Sequence, residues 1–446
     1  MILCIYLIIV CITCYYYNIR KYTEFIVSSF AICSNVFGIL PNPDPLKVTD
    51  FFTLIIFFCF VRDGFKIRND KIGRILLIIF LYELIIGCIS IATGTESLTY
   101  SIMVLRFEIY YFIYFIFKRI PYKFIEKSFR ILYILTIITG IFYYLQFVGI
   151  TGILQINTDI DSEAIYNRIN NKPLLASIMF FYTVFSKRKI KYRWIMALFF
   201  CGMIILSQNR GEIIATIFSV LIAIVFFGYS NLIKKLIVPG LLFSILFVPV
   251  IAYRFSSQGS VGIGATSEIF TSMDILANNT AMNFGSRNDV IYNEGTAVYR
   301  ALVAKERIDY LSQSTYYTLL GTGTIHEYSK NGRKLNFYYG NINRGEVTNI
   351  DTTDIAFLSH VFRYGLIYLF LYFIFIYFSF KHLWENKKNE FALCCLLVLI
   401  CKIIQIPSGD YFSGINNMFF MLLILSQINN IKSQKDEHQK KTIYTA

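Results

Sequence analysis

Charge is scarce in this sequence. Acidic and basic residues together make up 16% of its 446 residues, against 56% hydrophobic and 17% aromatic. A chain this apolar has far too much greasy surface to fold around one soluble core, which excludes a water-soluble globular enzyme. Histidine is scarce too: His326, His360, His382 and His438 are scattered and offer no metal-ligand cluster. The polar stretch from Arg254 to Asp354 contains no cysteine, and all ten cysteines fall in apolar runs, so no disulfide framework is expected. Cys11 and Cys14 have the spacing of a redox pair, yet they sit in an apolar run with no histidine nearby and are expected to pack as small hydrophobes. No basic run is paired with a soluble domain, so the formal charge of +14 does not point to nucleic acid. There is no repeat at a fixed period, nor a matched pair of Gly/Pro-broken spans such as inverted-repeat carriers show. Met1 to Tyr17 lacks a basic start and a small-residue cleavage site, and is expected to stay as a first span.

What the chain does have is a succession of apolar runs separated by short charged loops. In lipid every backbone polar group must pair within its own helix, and about 20 apolar residues cross the hydrocarbon. Candidate spans are 2–17, 25–40, 48–61, 75–93, 100–117, 129–149, 173–186, 194–208, 212–229, 236–253, 364–380, 391–406 and 413–428. The expected fold is therefore an all-α polytopic membrane protein of about 12 to 13 transmembrane helices. Lys and Arg collect in alternate loops: Arg62, Lys66, Arg68, Lys71 and Arg74; then Lys118, Arg119, Lys123 and Lys127; then Lys187, Arg188, Lys189, Lys191 and Arg193. Lys234 and Lys235, then Lys381, Lys387 and Lys388, continue the series, and such loops stay cytoplasmic. The intervening loops are acidic or neutral. This predicts an N-terminal bundle over 1–253 of about ten spans, a large extracytoplasmic loop over 254–363, C-terminal spans over 364–428 and a basic cytoplasmic tail over 429–446.

Chemistry on a lipid-linked molecule belongs where the outer segment meets the outer ends of the spans, and three patches lie there. In the first, Ser207, Gln208, Asn209, Arg210, Gly211 and Glu212 form an outward turn. An arginine fork beside a helix N-terminus suits a pyrophosphate; equally, Arg210 can be an anchor that snorkels to headgroups. In the second, Asp351 and Asp354 precede an apolar run on which Asp354, Leu358, Val361 and Gly365 share one helical face, Gly365 allowing another helix to approach. Asp354 is then either a carboxylate aimed at a substrate or a helix cap. In the third, the outer segment carries Arg254, Arg287, Arg300, Arg307, Arg333 and Arg344 among Tyr, Asn and Ser, a mixture suited to a sugar phosphate. Its stretch Tyr299 to Gln313 reads as a helix with apolar Leu302, Val303, Ile308 and Leu311. Within the spans, Arg106 and Glu108 are costly in lipid and, two positions apart, are expected to take different partners, either to tie helices together or to line a substrate path. Glu83 and Lys402 carry the same alternatives.

Taken together, the Ser-Gln-Asn-Arg-Gly turn, the long outer segment ending in Leu-Leu-Gly-Thr-Gly at Leu319 to Gly323, and the Asp-x-x-Phe-Leu-x-x-Val-x-x-x-Gly run from Asp354 to Gly365 resemble the O-antigen polymerase and O-antigen ligase superfamily of bacterial envelopes. The resemblance covers roughly Tyr166 to Gly365. It implies a GT-C-like arrangement with one large extracytoplasmic loop in the bacterial cytoplasmic (inner) membrane. The implied reaction is cofactor-free and metal-independent glycosyl transfer that polymerises undecaprenyl-pyrophosphate-linked oligosaccharides into O-antigen, capsule or exopolysaccharide. A polysaccharide chain-length regulator and a flippase are implied partners, besides the lipid bilayer. By position Arg210 matches the family's functional arginine. Asp354 stands where ligases usually carry histidine, a departure that favours polymerase over ligase because an ordinary aspartate is a weaker base. The family's second arginine corresponds to Arg300 or Arg307, Arg168 resembles a further outer-loop arginine, and Arg287 is another candidate for binding pyrophosphate or sugar. In this reading Arg210 and a loop arginine stabilise the departing pyrophosphate, while Asp354, or failing it Asp351, orients or deprotonates the acceptor hydroxyl. The rivals are an oligosaccharide-lipid flippase or other secondary transporter, an O-antigen ligase, and a sugar O-acyltransferase. The last would want a histidine buried in a span, and the four histidines read as lying near loops or in the tail.

Overall fold

In a computed structural model the apolar runs become helices. The structure describes residues 1–40, 46–67, 70–150, 160–161, 168–169, 173–207, 209–227, 248, 271–276, 296–335, 337, 350, 355–406, 409, 412 and 414–428. Every regular element among them is helical except one antiparallel pair of two-residue strands, in which Asp161 faces Arg168. Among the described residues three helices are long and apolar enough to cross a membrane: Lys71–Ala92, Tyr122–Phe147 and Leu358–Glu385. The 22 residues of the first span about 33 Å at 1.5 Å each, enough for the hydrocarbon. Shorter apolar helices occupy other runs, among them Ile2–Asn18, Tyr22–Cys33, Ala176–Phe185, Arg193–Leu206 and Ile415–Ile428. The expected span 236–253 lies, apart from Val248, outside the described residues.

The Lys71–Ala92 helix is inside out by the standards of a soluble protein. Its outward face carries Ile78, Leu81 and Ile85, each half or more exposed, whereas its buried face carries Glu83 and Ser90 beside Ile79 and Ile86. Water would reject that distribution and lipid accepts it, since the apolar face is then solvated by acyl chains. Phe370, Phe373 and Tyr377 make a similar exposed row on Leu358–Glu385. At the basic end of the bundle two aspartates tie helices and loops together. Asp63 takes Arg119 and the Tyr17 hydroxyl, and Asp70 takes Lys118 at 2.6 Å and the Tyr114 hydroxyl at 2.8 Å. Burial pushes the Asp70 carboxyl up, but hydrogen bonds from Lys118, the Gly73 N–H and Tyr114 outweigh it and hold the group below its usual value. This contribution to stability is present at neutral pH and is lost as pH falls through that lowered value.

Two expected continuous helices are broken. The run 100–117 divides into Leu98–Leu105 and Ile109–Phe117, bent by 46°. The bend falls on the two charged residues, which are drawn to different partners: Arg106 reaches Asp50 at 3.1 Å and Glu108 reaches His360 at 3.1 Å. The Leu358–Glu385 helix breaks at Gly365, whose φ of 73° and ψ of −171° belong to a region only glycine occupies readily. Gly365 therefore does not join Leu358 and Val361 in one uninterrupted helical face, as its spacing suggests. What approaches it is a loop backbone, not a second helix: a Cβ there would lie 2.2 Å from the Leu319 carbonyl oxygen.

That loop is the Leu319–Gly323 segment. Gly321 adopts almost the same conformation as Gly365, φ 76° and ψ −172°, and a Cβ on it would lie 2.3 Å from the Arg363 carbonyl. The Thr322 and Gly323 N–H groups donate to the Phe362 and Arg363 carbonyls, both at 2.9 Å, and the Arg363 Nε donates back to the Ile325 carbonyl at 3.1 Å. Two backbones thus interlock at a point where neither has a side chain. Gly321→Ala should combine about 1–3 kcal/mol of backbone strain with a direct clash, whereas Gly94→Ala, at φ +69° with nothing within 4 Å, should cost about 1 kcal/mol. Thermal unfolding in nanodiscs checks this, and equal losses from the two substitutions would refute the interlock.

Candidate functional site

Beyond the interlock the outer segment continues into the gap between the Lys71–Ala92 and Leu98–Leu105 helices. The Thr324 N–H donates to the Ser90 hydroxyl at 3.0 Å and the Thr324 hydroxyl to Ser101 at 2.8 Å. The His326 N–H then donates to Glu96 at 3.1 Å. A Cβ on Gly87 would meet Leu105 and Thr324, so this plug ends about one helical turn above Glu83.

Beneath the plug lies a buried polar cluster drawn from three elements. Glu83 is wholly buried, and neither of its carboxyl oxygens has a hydrogen-bond partner among the described residues. Glu108, at the bend of the broken helix, lies within its electrostatic reach, as do Tyr110 and Tyr368. The Tyr82 hydroxyl, on the residue next to Glu83, donates to the Tyr364 carbonyl at 2.7 Å and fixes the two helices against each other. His360 completes the group: its Nε2 meets the Glu108 carboxyl at 3.1 Å and its ring stacks on Tyr368 at 5.2 Å with planes 10° apart. The stack continues through Tyr368 to Tyr372.

His360 stands near a loop, as the sequence reading has it, as the third residue of the Leu358–Glu385 helix with its side chain 15% exposed; its place in this cluster is what the sequence reading missed. The signal was available, since His360, Tyr364, Tyr368 and Tyr372 recur every fourth residue.

Arg210 stands as the first residue of the Arg210–Phe226 helix, half-buried, with Asn209 capping the Glu212 N–H at 3.2 Å. Beside this turn a cavity of about 230 Å³ is lined by Ser207, Asn209, Glu212, Lys402, Gln405 and Asn417. Ser177 donates to Glu212 at 2.8 Å and the Lys402 ammonium to the Asn417 carbonyl at 3.0 Å, so Lys402 meets polar groups and not lipid. The Arg210 helix packs on Glu390–Ile404.

The outer segment does contain the expected helix, at Thr296–Ser312, and it packs on Thr315–Leu320 and Leu358–Glu385. Arg300 is half-buried on it. Arg307 is completely buried, its guanidinium bonded to the Val303 carbonyl at 2.9 Å and set over the Phe337 ring at 5.0 Å. Burial lowers its pKa to about 10, against the opposing pull of Glu306 and Tyr299. A buried guanidinium in this setting holds the helix against Phe337. Phe337 also closes one side of a cavity of about 600 Å³, whose other walls include the stacked Tyr310 and Tyr317, Thr93, Asn331 and Lys334. Arg168 is described only as a strand residue opposite Asp161, while Arg287, Asp351 and Asp354 lie outside the described residues.

The structure thus brings together the Gly-x-Gly segment, the helix that follows Asp354 and the charged bend of the 100–117 run, while Arg210 sits on another pair of helices. Comparison with protein-family models, curated proteins and solved structures yields no match to this chain.

A buried carboxyl with no hydrogen-bond partner weakens a fold by about 1–3 kcal/mol. Glu83→Leu should therefore raise the unfolding temperature while abolishing whatever activity the cluster serves. A variant less stable than wild type would show that Glu83 is part of the packing.

Proposed function

We propose that the chain polymerises polyprenyl-pyrophosphate-linked oligosaccharide repeat units by glycosyl transfer at the outer face of a bacterial cytoplasmic membrane. The topology that goes with this reading is about 12 to 13 spans, a large outer loop and an inner C-terminal tail. The observation that carries the proposal is the seating of Gly321–Gly323 in the helix break at Gly365. Two of the three segments that resemble O-antigen polymerases and ligases are far apart in sequence yet meet backbone to backbone. Glycines that only close contact requires explain why both segments carry them.

In the proposed reaction an acceptor sugar oxygen bonds to the anomeric carbon of the donor. The bond from that carbon to the pyrophosphate oxygen breaks, and the electron pair leaves with the pyrophosphate. Arg210, at a helix N-terminus whose dipole already favours anions, stabilises the departing charge. Asp354 takes or orients the hydroxyl proton. The outer cavity, with an aromatic wall formed by Tyr310 and Tyr317 and polar groups from Asn331 and Lys334, suits a sugar ring that needs both stacking and hydrogen bonds.

Purified protein in nanodiscs, given its polyprenyl-pyrophosphate repeat unit, should yield a polymer ladder on a gel. Arg210→Ala should reduce ladder formation by about 10²–10³-fold without loss of protein from the membrane, and Asp354→Asn should shorten or abolish the ladder. Failure of Arg210→Ala to accumulate would favour the anchor role.

A second reading, a carrier of lipid-linked oligosaccharide, draws on one observation: two discontinuous helices meet around buried carboxyls, an arrangement carriers use for binding sites. Repeat units that stay intact but cross the bilayer of a proteoliposome would select it.

A further inference from the structure

Glu83 is the one carboxyl in the cluster beneath the plug that neither an ion pair nor a hydrogen bond among the described residues explains. Among the described residues, Glu108 and Tyr110 from the broken helix and Tyr368 from the Leu358–Glu385 helix lie within its electrostatic reach, with His360 bonded to Glu108 and Arg106 turned away to Asp50. A carboxyl in a dry site without a cation partner favours its neutral form. The site also lies where two helices are broken, which in lipid is tolerated only around protein-lined polar space.

We infer that Glu83, Glu108 and His360 form a proton-binding site inside the membrane, in which the unpartnered Glu83 carboxyl carries a proton and the Glu108–His360 pair connects the site to the outer segment. This rests on the glycosyl-transfer reading only for the proton's source. There, the hydroxyl proton passes to the imidazole as the oxygen's electron pair forms the new glycosidic bond, then to the Glu108 carboxylate, and leaves to outer water before the next cycle.

The test is infrared difference spectroscopy of the nanodisc-embedded protein, in water and in heavy water, across neutral to alkaline pH. Wild type should show the carbonyl stretch of a protonated carboxylic acid at neutral pH. That band should vanish in Glu83→Gln, shift in Glu108→Gln and stay unchanged in the exposed-site control Glu24→Gln. Absence of the band in wild type at neutral pH, or its persistence in Glu83→Gln, overturns the proposal. So does a sodium-dependent loss of the band in wild type, which would make the site one for a metal cation. Should Glu83→Gln fail to fold, Glu108→Gln and His360→Gln decide the matter by the same band.

Polymer formation gives an independent readout. Glu108→Gln should lower its rate at least about tenfold and shift its pH profile, whereas a merely structural role would lower the rate equally at every pH. If no ladder forms in wild type but the band behaves as expected, the proton site stands and the glycosyl-transfer reading falls.

Discussion

The architecture depends on a contact with almost no side chain in it. Gly321 and Gly365 both adopt a mirror-extended backbone, and through them a loop of the outer segment lies directly on a membrane helix. The break at Gly365 turns the Phe362 and Arg363 carbonyls toward loop amides instead of toward their own helix. In lipid those carbonyls need partners, and the loop supplies them. The outer segment is therefore not merely tethered at its two ends. It completes the hydrogen bonding of a span, and its fold and the fold of the bundle are coupled through the same few amides.

That coupling sets where polar chemistry can be buried. The loop continues as Thr322–His326, ties Ser90, Ser101 and Glu96 together, and closes the top of the gap between two helices. Below it the bundle holds Glu83, Glu108 and His360 away from lipid. The bend at Arg106–Glu108 has the same logic as the break at Gly365. At the bend each of the two side chains has a polar partner, Asp50 for Arg106 and His360 for Glu108, in place of lipid.

Much of this was legible in the sequence at the level of elements and little at the level of contacts. Hydrophobic runs located the helices because burial in lipid requires length and apolarity, both of which composition records directly. The charges at Arg106 and Glu108 announced separate partners, as found. The glycine at 365 announced close approach by another helix, but hydropathy is blind to backbone φ, so the helix break and the identity of the approaching chain were hidden. Arg307 shows the opposite limit. Its residue type suggested a ligand for phosphate, while its burial over Phe337 makes it a strut, because helix periodicity without knowledge of the packing partner cannot say which face is covered. His360 was placed near a loop, where it lies, but its part in the cluster was missed, although its four-residue spacing puts it in line with three tyrosines.

The cluster beneath the plug is also the place where stability and purpose part. A leucine at position 83 would fill the same space without an unsatisfied carboxyl, so packing does not account for the glutamate. Arg106 and Glu108 differ in this respect, since each has a partner that offsets its burial. A group whose burial nothing in its surroundings repays, set where two helices are already broken, carries a cost that only a task of its own explains. Thr322 and Ile325 of the plug line the cavity beside Tyr310 and Tyr317, and the plug rests on the helix that carries Glu83. Any ligand that shifts Thr322–Ile325 therefore bears on the hydrogen bonds of Ser90 and Phe362, and through them on the helices carrying Glu83 and His360. The outer segment and the buried cluster are two ends of one mechanical unit.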